Sequence, residues 1–134
     1  MSTTEDWIKK CEGYNPNPYV DTTGHVTIGW GHNMGSRALT LSECQLIFET
    51  DLNIAKNDLE KCAWFHISPP GVQNALVNMC FNLGIEELSR FTSMIKYLLV
   101  KDYTNAAKAA LESKWAEQVG QRAKDVALMI SIGK

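Results

Sequence analysis

Residues 12–32 read EGYNPNPYVDTTGHVTIGWGH. The run sets two carboxylates (Glu12, Asp21), a hydroxyl (Thr27) and an imidazole (His32) on short, turn-rich backbone, and the rest of the chain reads as scaffold for it. It divides into a helix ending at Glu12-Gly13, a proline-containing loop, and two short strands joined by a turn at Asp21 to Gly24. In the second strand Val26, Ile28 and Trp30 alternate with His25, Thr27 and Gly29, so one face is expected to pack while Thr27 looks outward. Gly24 supplies the positive φ that a tight turn needs, and Gly29 and Gly31 would keep side-chain bulk away from the backbone there.

Working outward, the helix before this run is expected to start near Thr3 or Thr4. Glu5 and Asp6 favour its N-terminal dipole end, Trp7, Ile8 and Cys11 form its apolar stripe, and Gly13 stops it. Glu12 then lies in the last turn, where the negative end of the dipole favours the protonated acid. By position alone it is an exposed helix-end glutamate, Asp21 an ordinary turn aspartate and Thr27 an ordinary strand threonine; only together do they suggest chemistry.

The chain has 134 residues, the length of one domain. Its formal net charge of -2 offers no electrostatic grip on nucleic acid or on an anionic envelope. MSTTEDWIKK lacks the apolar core and small-residue cleavage site of an export signal, and no run approaches a membrane span, so no stable membrane association is expected. Cys11, Cys44, Cys62 and Cys80 allow three pairings, but each occupies a helix-compatible position among apolar neighbours, and free thiols are expected. No cysteine or histidine cluster has metal-ligand spacing, and neither metal nor other cofactor is expected.

Asn33 to Arg37 reads as loop, and Thr40-Leu41-Ser42-Glu43 as a capping box opening a helix to about Lys61. Its stripe of Cys44, Phe48, Leu52, Ala55 and Leu59 makes it a spine joining a hairpin lobe (about 13–38) to a helical lobe (about 68–134), with a cleft between. Ser68-Pro69 starts a central core helix with Val72, Ala75, Leu76, Met79, Cys80 and Leu83 on its apolar face, ended by Gly84. Shorter helices are expected at about 86–90, 93–100, 104–112 and 120–132, with Met79, Met94 and Met129 filling the core. The fold class is therefore α+β, mainly helical, in a single domain of residues 1–134.

Glu12-Gly13, Tyr19, Asp21, Gly24 and the run Thr27-Ile28-Gly29-Trp30-Gly31-His32 resemble the signature of phage-type lysozymes, the endolysins of glycoside hydrolase family 24. That family's catalytic Glu, Asp and Thr fall nine and then six residues apart, as do Glu12, Asp21 and Thr27, and the resemblance implies those three roles here. It continues more weakly through Phe48, Asp51, Asn78 to Gly84, Phe91-Thr92, Trp115 and Arg122-Ala123-Lys124, and implies a lysozyme-like fold. It also implies Asn33, Phe81 and Asn82 as groove residues, Asp51 as partner of a structural His32, and Arg122 as a neighbour of Glu12.

Two carboxylates are the minimum set for hydrolysing a glycosidic bond, one protonating the leaving oxygen and the other activating water or attacking the sugar. Glu12 fits the acid, Asp21 the ionised partner and Thr27 the holder of a water. The resemblance implies an endo-acting muramidase cutting between N-acetylmuramic acid and N-acetylglucosamine in peptidoglycan. The expected setting is a monomer made in the host cytoplasm, reaching the wall after permeabilisation by a holin-type partner. A water held by both Asp21 and Thr27 predicts inversion. The alternatives are a lytic transglycosylase, which needs only the acid, and a catalytically silent peptidoglycan-binding protein of the same fold.

Overall fold

The computed structural model describes residues 3–134, which divide into two compact units, the first ending at Cys44 and the second spanning Gln45–Lys134. The class is α+β, mainly helical, as the sequence implied.

In the first unit, helix α1 spans Thr4–Glu12. It starts where expected, and a capping box closes it: Asp6 N–H donates to Thr3 Oγ1 at 3.1 Å, and Thr3 N–H donates to Asp6 Oδ2 at 3.2 Å. Gly13 ends the helix at φ 72°, with its N–H bonded to the Lys9 carbonyl. The expected apolar stripe is not buried, and Trp7, Ile8 and Cys11 are exposed. Strands β1 (Asn15–Val20), β2 (Val26–Gly29) and β3 (His32–Asn33) form an antiparallel sheet in the order β1-β2-β3.

Two expectations are corrected here. There are three strands rather than two, because the positive-φ glycines at 29 and 31 turn the chain back and let His32 pair with Ile28 and Asn33 with Thr27. Thr27 does not face outward. It is only 3% exposed, whereas Val26 and Trp30 on the opposite face are about half exposed. Thr27 lies in the central strand between Tyr19 and Asn33, and its hydroxyl donates to the His25 carbonyl at 3.0 Å, so the polar group is satisfied when buried. Strand β1 tolerates Pro16 and Pro18 because it is an edge strand with an irregular register between Asn15 and Tyr19.

Helix α2 (Leu41–Leu59) opens on the expected capping box: Thr40 N–H donates to Glu43 Oε1 at 2.8 Å, and Glu43 N–H donates to Thr40 Oγ1 at 3.2 Å. Of its predicted stripe only Ala55 and Leu59 are buried, while Cys44 and Phe48 are exposed. Only the final turns of the helix enter the core of the second unit.

That core is built on α4 (Pro70–Leu83), whose Val72, Leu76 and Met79 are fully buried. Helix α4 packs on α9 (Gln121–Ile132), and α9 in turn packs on α7 (Tyr103–Leu111), which meets α6 (Thr92–Leu99). Helix α5 (Ile85–Ser89) buries Leu88, and α6 buries Met94 and Leu98. Two helices were not expected, α3 (Ala63–His66) and α8 (Lys114–Val119); at four and six residues they are too short to carry a periodic pattern. Met129 is 40% exposed rather than core filler. All four cysteines are free, but only Cys80 is fully buried, and burial pushes its thiol up to about 11. Among the described residues no helix is long and apolar enough to cross a membrane.

Candidate active site

Glu12, Asp21, Thr27 and His32 all belong to the first unit, and each is placed by a local device. Glu12 is the last residue of α1, exposed to solvent, with its carboxyl group laid against Gly31 in the turn between β2 and β3. A Cβ built on Gly31 would collide with Glu12 Oε2 and lie 2.9 Å from Cδ and 3.2 Å from Cγ. The expectation that glycine keeps this backbone clear thus holds at Gly31. Gly29 differs: a Cβ there would meet nothing within 4 Å, and the residue is needed for its φ of 69°.

Asp21 opens the β1–β2 turn, and one of its carboxylate oxygens is saturated with donors. Oδ1 accepts from Thr23 N–H at 2.9 Å, from the Thr23 hydroxyl at 2.8 Å and from His25 N–H at 2.8 Å. The His25 amide, followed by the Thr23 hydroxyl, stabilises the charged form and holds the Asp21 carboxyl below the usual carboxylate range. Asp21 N–H donates in return to the His25 carbonyl at 2.9 Å. The same carbonyl accepts the Thr27 hydroxyl, so the backbone of His25 ties Asp21 to Thr27.

His25 and Thr23 were not singled out from the sequence. The available signal was Asp21-Thr22-Thr23-Gly24, an aspartate opening a Thr- and Gly-containing turn whose side chain can bond backbone two residues on.

Of the remaining candidates, Asn33, Asn82 and Arg122 have partners within their own units. Asn33 Oδ1 accepts from Gly35 N–H at 2.9 Å and the Asn33 carbonyl accepts the Ser36 hydroxyl at 2.9 Å, so Asn33 shapes the loop after β3. His32 Nε2 is buried and has no hydrogen-bond partner among the described residues; Asp51, expected as its partner, belongs to the second unit. In that unit Phe81 packs against Phe48 with ring centroids 5.4 Å apart, and it lines with Asp51 and Asp58 a shallow depression of about 190 Å³. The Asn82 side-chain carbonyl accepts the Trp115 indole N–H at 2.8 Å. Arg122 donates through Nε to Asn78 Oδ1 at 2.8 Å and through Nη2 to the Asn78 carbonyl at 3.3 Å.

A carboxyl group on a helix end and an anionic carboxylate joined to a hydroxyl form a set suited to acid–base cleavage of an acetal. The phage lysozyme family model matches residues 9–129, nearly the whole chain. The chain belongs to the phage lysozyme family. As a phage-type lysozyme it has a lysozyme-like fold and is a glycoside hydrolase acting on peptidoglycan. Among its relatives are "Probable T4-type lysozyme 1" of Dictyostelium discoideum, 27% identical with 99% of this chain and 96% of the relative covered, and "Probable T4-type lysozyme 2" of the same organism, 25% identical with the same coverage. The pre-baseplate central spike protein Gp5 of Enterobacteria phage T4 is 28% identical across 99% of this chain, which spans 28% of that protein.

Proposed function

We propose that this phage-type lysozyme is an endo-acting N-acetylmuramidase that cleaves the β-1,4 bond between N-acetylmuramic acid and N-acetylglucosamine with inversion. Glu12 is the general acid, protonating the glycosidic oxygen as the bond breaks. Asp21 is the base that takes a proton from the attacking water, and Thr27 helps to hold that water.

The observation that carries this reading is the bonding around Asp21 and Thr27. Oδ1 of Asp21 is filled by three donors, which leaves Oδ2 to receive a proton. The Thr27 hydroxyl donates its hydrogen bond to the His25 carbonyl, so towards a water its oxygen can only accept. A water donating one hydrogen to Asp21 Oδ2 and the other to Thr27 Oγ1 keeps its lone pairs for the sugar carbon. Attack by such a water, rather than by the carboxylate, needs a carboxyl separation of about 6.5 to 9.5 Å and gives an α-anomer from a β-linked substrate.

In its biological setting the enzyme is a monomer made in the host cytoplasm for host lysis, reaching the wall through a holin-type permeabilising protein. Mass spectrometry of digested peptidoglycan tests the reaction: reducing muramic ends carrying one added water are expected. Anhydro-muramic ends would identify a transglycosylase, and no release would identify a silent binding protein. Proton NMR of a soluble oligomer before mutarotation tests the stereochemistry, and an initial β-anomer would make Asp21 a nucleophile.

A further inference from the structure

Beyond the two backbone amides that hold Asp21, the turn carries a chain of side-chain hydrogen bonds with a fixed direction. Thr23 Oγ1 stands 2.8 Å from Asp21 Oδ1 and 2.7 Å from His25 Nδ1. A hydroxyl has one proton to give, and an ionised carboxylate can only accept, so the Thr23 proton points at Asp21. The Thr23 oxygen is then an acceptor, and His25 Nδ1 must carry a hydrogen to donate to it. The direction is His25 Nδ1–H to Thr23 Oγ1–H to Asp21 Oδ1, and it sets the tautomer of neutral His25.

We propose that Thr23 and His25 are positioning residues for Asp21: their side chains complete the filling of Oδ1 and so oblige Oδ2 to be the oxygen that meets the attacking water. The proposal rests on the reading of Asp21 as the base and deepens it. The two backbone amides take about the two lone-pair sites that one carboxylate oxygen offers, and the Thr23 hydroxyl is a third donor crowded onto the same atom. A water that met Asp21 through Oδ1 would have to take the place beside the two amides. The Thr23 hydroxyl fills that position, and His25 keeps the hydroxyl from rotating away. The imidazole is more than half exposed, so packing is not what this side chain contributes.

Thr23→Val removes the hydroxyl at nearly constant shape and Thr23→Ser restores it. His25→Ala removes the Nδ1 donor, and His25→Asn returns an N–H at the same distance from the backbone. On a soluble peptidoglycan oligomer, Thr23→Val and His25→Ala are expected to lower kcat by roughly 3- to 10-fold, the size of one lost hydrogen bond, with KM unchanged. Thr23→Ser and His25→Asn are expected to recover most of that loss, with circular dichroism showing all four folded. Nitrogen-15 NMR of the wild type above the histidine titration should show His25 protonated at Nδ1, a readout independent of activity.

An Nε2–H tautomer would overturn the chain of bonds itself. Full kcat in folded Thr23→Val, together with an inactive Asp21→Asn, would overturn the positioning role while leaving Asp21 as the base. Full activity in Asp21→Asn would overturn the base assignment and this proposal with it. A Thr23→Ser no better than Thr23→Val would also count against the proposal, since serine keeps the hydroxyl that valine lacks.

Discussion

The carboxyl group of Glu12 occupies the space that a side chain on Gly31 would fill: a Cβ there would lie 2.9 Å from Glu12 Cδ and closer still to Oε2. Gly31 also has a φ of 72°, which a side-chain-bearing residue adopts only with strain. One position therefore sets both the course of the β2–β3 turn and the seat of the candidate acid. Gly31→Ala is expected to cost about 1 to 2 kcal/mol in stability and, by moving the acid by about an ångström, to lower kcat by on the order of 10². A folded Gly31→Ala enzyme with wild-type kcat would show that the acid does not need this seat.

Glu12→Gln keeps the size of the side chain and removes the transferable proton. Peptidoglycan hydrolysis should fall by roughly 10² to 10⁴, the range of general acid catalysis, with the melting temperature little changed. Substantial turnover by the folded variant would remove Glu12 from the role.

Asn82 accepts the indole N–H of Trp115, whose side chain is almost fully buried. Asn82→Ala leaves that donor without its partner, at a cost of about 1 to 3 kcal/mol. The expected result is lower stability in chemical denaturation. A change in KM at unchanged stability would instead mark Asn82 as a direct sugar contact.

Arg37 grips Glu43 through its two terminal guanidinium nitrogens, at 2.8 and 3.1 Å, and holds its carboxyl down at about 2, with the Thr40 N–H helping. The folded value lies below the ordinary glutamate value of about 4.3, so the contribution to stability is complete above the unfolded value. It is lost as pH falls through the window from about 4.3 to about 2. Glu43→Gln should therefore flatten the acid limb of the stability curve. Arg37→Ala should raise the Glu43 titration in a carbon-13 NMR experiment, and an unmoved titration would mean that the pair does not form in solution.

The candidate acid, base and hydroxyl were legible in the sequence through its resemblance to the family signature, whose spacing of nine and then six residues Glu12, Asp21 and Thr27 share. So were the elements with local causes. The start of α1, the Thr40 capping box, the stop at Gly13 and the apolar face of α4 each depend on residues within a few turns of one another, and all appear where expected. Burial was not legible in the same way. Alternation divides β2 into two faces but does not say which is covered, and the structure covers the face carrying Thr27 because neighbouring strands flank it and its hydroxyl has an acceptor. Nor does periodicity limit how much of a stripe is used, and only the last turns of α2 meet a core. The roles of Thr23, His25 and Gly31 depend on atoms brought together by a turn and a sheet, where a carbonyl can serve two partners and an empty Cβ position can hold a carboxylate. Sequence supplied the candidate groups through their order along the chain, and tertiary structure decided their orientation, since orientation is set by hydrogen bonds whose donors and acceptors meet only when the backbone has turned.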